Sequence, residues 1–494
     1  MKLKSKSIDW KAGFPVVMLS KKIATIIGVQ TREMVLIKTV SKHPRNATAI
    51  IDILGRAGNK NEIIVSSEVK QRLCLRKGQV VDVNIAPVPQ SVNLIKKKLN
   101  NKRLSKEEIG LIVKDVVTDK LSEAEIALFV AAMYERGMDM KETVYLIDAI
   151  LKSGNRLYLK KDLVVDKHCV GGVAGNRTTP LVVSICAAAG LTFPKTSSRA
   201  ITSADGTADV MEAVARVDFT IQELRQILKK VNAFIVWGGA IGVVPADSKI
   251  IKVEKSLNVD PKAQLLASIL AKKFAVGSKY ILIDIPYGKT AKILTKRRAE
   301  SLERKFKTLG KYFHKEIRVV LTDGRQPIGN GVGPCLELMD ILKILDPAER
   351  GPEDLEKKAC FLAGEILEMV GKAKRGHGSE MAERILYSGK ALEKFKEIVA
   401  AQQGSLKRIR YAKFKKDIHA PRSGKITEIN NKKINQLGRV AGSPVDKPAG
   451  LYLYFHVGDR VKKGEKLITL YAETKDRLKD SINFYKRSQP IKFK

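Results

Sequence analysis

Cysteine and histidine are scarce in this sequence. Its 494 residues include six histidines and five widely separated cysteines, which are Cys74, Cys169, Cys186, Cys335 and Cys360. No CxxC pair occurs, and an odd number of cysteines argues against a disulfide framework. We therefore expect most cysteines to be small core residues in a reducing compartment, and scattered histidines give little support for a metal site.

Long apolar runs are also missing. No uninterrupted apolar stretch approaches the ~20 residues that a bilayer helix needs, and residues 1–14 are charged and then mixed in character. Hydrophobic residues still make up 44% of the chain, which is enough to build large cores. The sequence therefore predicts a soluble, cytoplasmic protein, and its length predicts about three domains.

Acidic residues are few compared with basic ones. Lysine and arginine total 91 against 52 aspartates and glutamates, so the formal net charge is +39. A field of this sign attracts nucleic acid, nucleotides or phosphate. However, the lysines are spread along the chain apart from the run Lys96–Lys98, and aromatic residues make up only 6%. The basic and aromatic stripe typical of single-strand binding is absent, so nucleic-acid binding stays the lesser alternative.

The hydrophobic pattern of the chain changes near residue 88. Residues 1–87 contain short apolar runs separated by turns, and they predict a small β-rich domain, which could be a barrel. Residues 88–160 have helical periodicity, and the pairs Ser105–Glu108 and Ser122–Glu125 have the spacing of capping boxes. We therefore predict a helical domain there, to which later helices can also belong.

The rest of the chain predicts an α/β domain over residues 161–405 and a C-terminal α+β domain over 406–494. Apolar runs alternate with longer helical stretches in the first of these, which is typical of a mostly parallel sheet covered by helices. The predicted fold class is thus multidomain α/β, with a helical lobe and a mostly parallel α/β lobe flanked by small β-rich terminal domains. Glycine-rich stretches follow three predicted strands, where ligands bind in such sheets, at 171–175, 238–242 and 329–333.

The stretch 166-DKHCVGGVAGNRTTP-180 concentrates residues that could carry chemistry. Neighbouring strand residues point to opposite faces, so His168 and Cys169 make a poor nucleophilic pair, and a metal needs more ligands than this stretch offers. Glycines between a strand and a helix can instead cradle an anion with backbone N–H groups. Lys167 would add a positive charge, and Thr178 and Thr179 would add hydroxyl donors. A tight structural turn is the alternative.

Two further stretches carry unusual polar residues. Residues 196–209 include nine hydroxyl-bearing or charged residues, which suits a loop around a phosphate or a ribose better than a plain turn. Asp260 precedes Pro261 at a predicted helix start, where an aspartate most often acts only as a cap. Ser268 and Lys272 are four residues apart and so lie on one face of that helix.

Together these stretches resemble the thymidine and pyrimidine nucleoside phosphorylase family. That family carries K-H-S-x-G-G-V-G-D, an S-G-R loop and an A-S-I-x-x-K-K helix, which read here 167-KHCVGGVAG-175, 197-SSRAITSADGTAD-209 and 267-ASILAKK-273. The sequence differs from the motifs of that family in four ways. Cys169 replaces a serine, and the glycine loop gains a residue, with Asn176 and Arg177. An arginine before Asp260 is missing, and some 85 N-terminal residues are added. These features are similar to the archaeal AMP phosphorylase branch.

The resemblance implies a pentosyltransferase that cleaves AMP, CMP or UMP with phosphate, giving free base and ribose 1,5-bisphosphate in nucleotide salvage. A thymidine or pyrimidine nucleoside phosphorylase is the alternative. The resemblance implies no metal and no cofactor, small-molecule partners rather than nucleic acid or membrane, and a homodimer or larger homo-oligomer.

The resemblance also implies roles for individual residues. Asp260 corresponds to the proton donor to the leaving base; it must stay protonated near neutral pH, so we expect it in a buried, apolar setting. Arg177 suits the 5′-phosphate, with a structural role as the alternative, while Lys167 and Thr178 or Thr179 correspond to phosphate ligands and Lys272 to a base contact. The remaining nucleotide contacts are expected at Gly172, Ser198, Arg199, Ala200, Ile201, Thr202, Ser203, Thr207, Ser268 and Lys292.

Overall fold

The computed structural model of the chain describes residues 1–55, 61–157, 159, 162–200, 203–239 and 242–494. The chain divides into two compact units. The first unit comprises residues 1–154 and 244–271, and the second comprises residues 155–243 and 272–494.

The secondary structure follows the order below along the chain. Through residue 154 the elements are β1 (Lys2–Ser7), β2 (Val16–Ser20), α1 (Lys21–Ile27), β3 (Met34–Thr39), β4 (Asn46–Leu54), β5 (Glu62–Val65), α2 (Ser67–Leu73), β6 (Val80–Ile85), α3 (Gln90–Leu99), α4 (Lys106–Val117), α5 (Glu123–Arg136) and α6 (Met140–Lys152). The next elements are β7 (Val165–Cys169), α7 (Thr178–Ala188), β8 (Phe193–Ser197), α8 (Thr207–Glu212), α9 (Ile221–Val231), β9 (Ala233–Trp237), α10 (Pro245–Leu257), α11 (Lys262–Ala275), β10 (Tyr280–Tyr287), α12 (Lys296–Tyr312), β11 (Glu316–Asp323), β12 (Gly331–Val332), α13 (Pro334–Leu345), α14 (Glu353–Met369), α15 (Gly378–Tyr387) and α16 (Lys390–Ala401). The C-terminal elements are a 3₁₀ helix (Leu406–Arg408), β13 (Phe414–His419), β14 (Gly424–Ile429), α17 (Asn431–Ala441), β15 (Gly450–Leu453), β16 (Arg460–Val461), β17 (Lys466–Ala472), α18 (Lys475–Ser488) and β18 (Ile491–Phe493).

The N-terminal strands form a closed barrel. Their order around the barrel is β1-β5-β2-β4-β3-β6. Alternate residues of the strands, such as Val17 with Leu19 and Val81 with Val83, are fully buried in its core because successive strand side chains point to opposite faces. The structure therefore confirms the predicted β-rich N-terminal region.

The helices of the first unit begin where their capping residues predict. Ser105 and Ser122 each accept a hydrogen bond from the backbone N–H of the glutamate three residues later, and each glutamate accepts one from the serine N–H. Both predicted capping boxes are thus confirmed. Helix α10 also packs against α4 and α5.

The second unit is built on parallel strands. The strand order is β11-β10-β7, all parallel, while β8 pairs in parallel with β9. A parallel bridge between Val164 and Thr192 brings β8 beside β7. The predicted parallel sheet and the multidomain α/β class are therefore confirmed. The predicted polar loop starts later than expected, because Thr196 and Ser197 still belong to β8.

The C-terminal strands form two antiparallel arrangements in the orders β12-β15-β17-β13 and β16-β14-β18. Their apolar core includes Ile434 and Leu437 of α17 and also two residues from distant loops, Ala174 and Ala204. The two loops are therefore anchored in the C-terminal core. Among the described residues, no helix combines the length and the apolar character needed to cross a bilayer.

Candidate functional site

The glycine loop that follows β7 has a conformation that requires glycine. Gly172 has a φ of 89°, and an added Cβ atom would lie 2.2 Å from the backbone nitrogen of Lys292. Gly175 has a φ of 64°, and its added Cβ atom would lie 2.3 Å from the carbonyl oxygen of Ile328. Close backbone approach in the left-handed region excludes other side chains at both positions. The loop thereby brings Gly172 and Lys292, two of the predicted contacts, against each other.

Lys167 lies on β7, and its side chain reaches the first residue of α7, where the sequence predicted an anion cradle. Its side chain is 1% exposed, and its Nζ donates a hydrogen bond to Thr178 Oγ1 at 2.6 Å. Burial lowers the pKa of Lys167. Thr179 is buried beside Thr178 in the first turn of α7, where backbone N–H groups lack partners within the helix. A buried lysine, hydroxyls and a helix N-terminus together supply the kinds of donor that an oxyanion needs.

Two more lysines surround Asp166, next to Lys167. Lys273 Nζ lies 3.0 Å from Asp166 Oδ2, and Lys195 Nζ lies 3.4 Å from Asp166 Oδ1 and 2.5 Å from the carbonyl oxygen of Lys167. Burial, together with the charge of Lys195, lowers the pKa of Lys273 to about 7, although Asp166 opposes this shift. The unfolded chain therefore binds more protons above pH 7, so this lysine destabilises the fold most below pH 7.

The neighbouring strand supplies a second buried carboxylate. Asp284 on β10 stands opposite Cys169 in the strand register, accepts a hydrogen bond from Thr322 Oγ1 at 2.5 Å, and lies 3.2 Å from Lys358 Nζ. Among the described residues, the amino groups of this cluster outnumber its carboxylates, since Lys167, Lys195, Lys273 and Lys358 stand against Asp166 and Asp284. Buried charge without a counterion is costly. The surplus of positive charge would be compensated by a bound anion.

Arg177 joins the glycine loop to two other segments. Its Nε lies 2.5 Å from Glu337 on α13, and its two terminal nitrogens donate to Asp205 Oδ1 at 2.5 Å and to Thr207 Oγ1 at 3.1 Å. Burial raises the pKa of Glu337 well above its usual value, while Arg177 opposes this shift. The guanidinium is thus engaged with protein groups on all three nitrogens. These contacts favour the structural alternative for Arg177 over a 5′-phosphate ligand.

The polar loop after β8 is closed by its own residues. The Asp209 carboxylate accepts hydrogen bonds from the N–H groups of Ala200 and Gly206, at 2.7 and 2.8 Å. Arg199 forms two hydrogen bonds with Glu212 and stacks 4.7 Å from the ring centroid of Trp237. Of the other predicted contacts here, Ser198 is exposed and Ser203 is half-buried, while Ile201 and Thr202 lie outside the described residues.

The predicted proton donor has a different environment from the one expected. Asp260 is exposed, two residues before the first residue of α11, so the predicted buried setting is wrong. We expected burial because a proton donor needs apolar surroundings. The residues next to Asp260 in the sequence do not indicate that it is buried. Ser268 is buried and Lys272 half-buried on α11, one helical turn apart.

Cys169 and His168 do not form a nucleophilic pair in this structure. Burial and the nearby Asp284 carboxylate raise the pKa of the Cys169 thiol, whereas a nucleophilic cysteine needs a lowered one. Burial and the surrounding lysines hold the pKa of His168 well below its usual value. Among the described residues there is also no group of side chains that could hold a metal ion.

The sequence reasoning missed most of the buried charges around this site. Asp166, Lys195, Lys273, Asp284 and Glu337 were not proposed, although all are buried. The available signal was a charged residue inside an otherwise apolar strand, as in 280-YILIDIPY-287. Such a residue has to find a partner in the folded protein.

Three family models match the chain. They are described as the glycosyl transferase family helical bundle domain at residues 92–154, the glycosyl transferase family a/b domain at 161–392, and the pyrimidine nucleoside phosphorylase C-terminal domain at 425–492.

Curated relatives match the chain over its full length. An AMP phosphorylase of Thermococcus kodakarensis is 43% identical over 496 residues, which cover 100% of this chain and 98% of the relative. Those of Pyrococcus furiosus and Methanococcus vannielii are 42% and 39% identical, and the alignments cover 100% and 99% of this chain and 98% and 97% of the relatives. A solved anthranilate phosphoribosyltransferase of Thermus thermophilus superposes with a TM-score of 0.51 at 19% identity, covering 63% of this chain and 99% of that one. That likeness shows a shared fold.

Replacing Arg177 tests its structural role. We expect Arg177→Met to lower the free energy of unfolding by about 3–5 kcal/mol, because Asp205 and Glu337 lose the cation between them. The loss of unfolding free energy should be smaller at pH 5 than at pH 8, since protonation of a carboxylate relieves the repulsion between Asp205 and Glu337. Chemical denaturation measures both. Arg318→Met is the matched control, because its partner Glu365 is partly exposed and the expected loss is below about 1 kcal/mol; equal losses would contradict the role.

Sulfate binding tests the charge of the lysine cluster. Sulfate keeps its two charges between pH 6 and pH 8.5, whereas Lys273, with a pKa of about 7, loses its proton over that range. We expect sulfate affinity, measured by calorimetric titration, to fall several-fold as the pH rises. Lys273→Met should bind sulfate more weakly at pH 6 and show a flatter profile. A wild-type affinity that does not change with pH would refute this account.

Proposed function

The chain belongs to the AMP phosphorylase family, and from this relationship we propose that it catalyses the reversible phosphorolysis of AMP. CMP and UMP are proposed as further substrates, and the products are the free base and ribose 1,5-bisphosphate. The observation that carries the proposal is the full-length match to several AMP phosphorylases at about 40% identity. The reaction makes the protein a pentosyltransferase of nucleotide salvage.

Phosphate binding is proposed at the start of α7. Lys167 and Thr178 are within hydrogen-bonding distance of each other, and the surplus of buried ammonium groups beside them would be neutralised by a dianion. Positive charge develops on the ribose as the glycosidic bond breaks, and a phosphate held at the anomeric carbon compensates it. The protein's own lysines, hydroxyls and amides can supply this charge compensation.

Nucleotide binding is proposed at the glycine loop and the polar loop. Gly172 and Lys292 are held together by backbone packing, and residues 198–207 follow the neighbouring strand β8. Arg177 bridges the two loops through Asp205 and Thr207, so we assign it a positioning role. Ser268 and Lys272 on one face of α11 are proposed as further contacts with the nucleotide, with Lys272 directed to the base.

Asp260 is proposed as the general acid that donates a proton to the leaving base. The base departs with negative charge, and its protonation makes it a better leaving group. This role comes from the family resemblance. In the structure Asp260 is exposed, two residues ahead of α11.

A homodimer or larger homo-oligomer acting in the cytoplasm completes the proposal. The second candidate function is phosphorolysis of thymidine or uridine, and the match to the pyrimidine nucleoside phosphorylase C-terminal domain supports it.

Base release from the purified chain distinguishes these functions. With phosphate present, we expect release of adenine from AMP at a rate at least a hundredfold above that from thymidine, because the nucleoside lacks the 5′-phosphate. Chromatography of the free bases measures this. Omitting phosphate is the control for hydrolysis and should abolish release. Base release from thymidine but not from AMP would show that the second candidate is correct.

The variant Asp260→Asn tests the proton donor. An amide cannot donate the proton that a carboxylic acid donates, so we expect kcat for AMP to fall by about 10²–10⁴-fold. AMP binding, measured by calorimetry, should stay within about threefold of the wild type. Asp162→Asn is a control, since Asp162 is also an exposed aspartate ahead of a secondary-structure element and should not affect turnover. Near-wild-type turnover in Asp260→Asn would remove Asp260 from this role.

A further inference from the structure

Helix α17 of the C-terminal region presents three polar residues on one face. Asn431, Asn435 and Arg439 are spaced four residues apart and therefore follow one another along the helix. Asn431 is 0% exposed and Asn435 is 3% exposed. Asparagine side chains are mostly exposed in folded proteins, so this burial is unusual. Each of the three residues donates to or accepts from the main chain of a distant loop.

Asn431 connects the glycine loop with two other segments. Its Oδ1 accepts a hydrogen bond from the backbone N–H of Ala174 at 2.9 Å. Its Nδ2 donates to Thr290 Oγ1 at 2.9 Å and to the carbonyl oxygen of Gly324 at 3.0 Å. Thr290 stands in the turn that carries Lys292 to Gly172. One amide group thus fixes the glycine loop and the turn that packs on it.

Asn435 and Arg439 hold the polar loop in the same way. Asn435 Oδ1 accepts from the backbone N–H of Ala204 at 2.9 Å. Arg439 donates to the carbonyl oxygen of Ser203 through Nε at 3.0 Å and through a terminal nitrogen at 2.9 Å. Ser443 Oγ donates to the carbonyl oxygen of Ala204 at 3.3 Å. The backbone of residues 203–204 is therefore held through both its donor and its acceptor groups.

The anchored loop residues are buried in the C-terminal core. Ala174 and Ala204 pack in one apolar cluster with Ile434 and Leu437 of the same helix. A Cβ atom at Gly438 would lie 3.0 Å from the Cβ of Ala204, so helix and loop are in close contact. In this setting, the N–H group of Ala204 has no access to water and depends on Asn435. Losing that acceptor would force the loop to move away from the helix.

We propose that Asn431, Asn435 and Arg439 are positioning residues that set the geometry of both nucleotide loops from the C-terminal region. The proposal rests on the proposed function, since it takes these loops as the nucleotide contacts. Asn435 acts on the segment around residues 198–207, so its loss should weaken nucleotide binding more than phosphate binding at Lys167. A residue with only a structural role would lower stability without this selectivity.

The test compares Asn435→Leu, which keeps the size but loses the acceptor, with Asn435→Asp, which keeps an acceptor oxygen. We expect KM for AMP to rise about tenfold or more in Asn435→Leu, with KM for phosphate changed less than about twofold. Asn435→Asp should bring KM for AMP back to within about threefold of the wild type. Gln436→Leu is the matched control, because Gln436 is an exposed amide on the same helix, and its kinetics should be unchanged.

Three kinetic results would overturn the proposal. They are an unchanged KM for AMP in Asn435→Leu, equal rises in both KM values, and a variant Asn435→Asp that is as impaired as Asn435→Leu. If Asn435→Leu does not fold, Arg439→Met replaces it, since Arg439 is exposed, with Lys432→Met as its control. The same rise in KM for AMP is then expected, and its absence counts against the proposal.

Hydrogen exchange separates this proposal from the proposed function. In Asn435→Leu, amides of residues 203–210 should exchange at least tenfold faster than in the wild type, while those of the barrel should not change. This measurement needs no substrate. If the wild type releases no base from AMP but exchange is still faster in Asn435→Leu, the proposed function is rejected and the anchoring role is kept. If exchange in Asn435→Leu is unchanged, the anchoring role is rejected.

Discussion

The arrangement of the glycine loop and the polar loop depends on one ionic contact. In it, the guanidinium of Arg177 lies between the carboxylates of Asp205 and Glu337. It lies at the junction of the glycine loop, the polar loop and α13. A planar group with five N–H donors can satisfy several acceptors at fixed angles, which a lysine could not do. Asn176, with a φ of 53°, turns the chain just before Arg177, which stands at the N-cap position of α7 and contacts both carboxylates.

Charge is distributed unevenly around that junction. Arg177 lies between two carboxylates, whereas the lysines around Asp166 and Asp284 outnumber these two carboxylates. A site that carries uncompensated positive charge before its ligand arrives is destabilised, and the ligand removes the destabilisation when it binds. The lowered pKa of Lys273 reflects this surplus of positive charge, because loss of a proton from Lys273 reduces the surplus. The same groups that destabilise the fold would thus favour the binding of an anion.

Much of the architecture could be predicted from the sequence, because local patterns determine it. Capping boxes predicted the starts of α4 and α5, and the alternation of apolar runs with helical stretches predicted parallel strands such as β10 and β11. The partners of buried charges could not be predicted, since Asp166 meets Lys273 only after the sheet has formed. The sequence also left the role of Arg177 open, and the buried setting predicted for Asp260 came from its expected role and not from its neighbours in the sequence. The domain limits and the role of each proposed site residue stay predictions.

The contacts made by α17 also constrain the order in which the protein can mature. Ala174 and Ala204 precede their asparagine partners by 257 and 231 residues. During synthesis from the N-terminus, the barrel and the parallel strands leave the ribosome long before α17 does. The backbone amides of Ala174 and Ala204 have no asparagine partner until α17 has been synthesised. Contacts between residues so far apart in the sequence also form slowly. A nascent chain that stops before α17 can thus contain every residue assigned to substrate contact and still lack the groups that hold both loops in place.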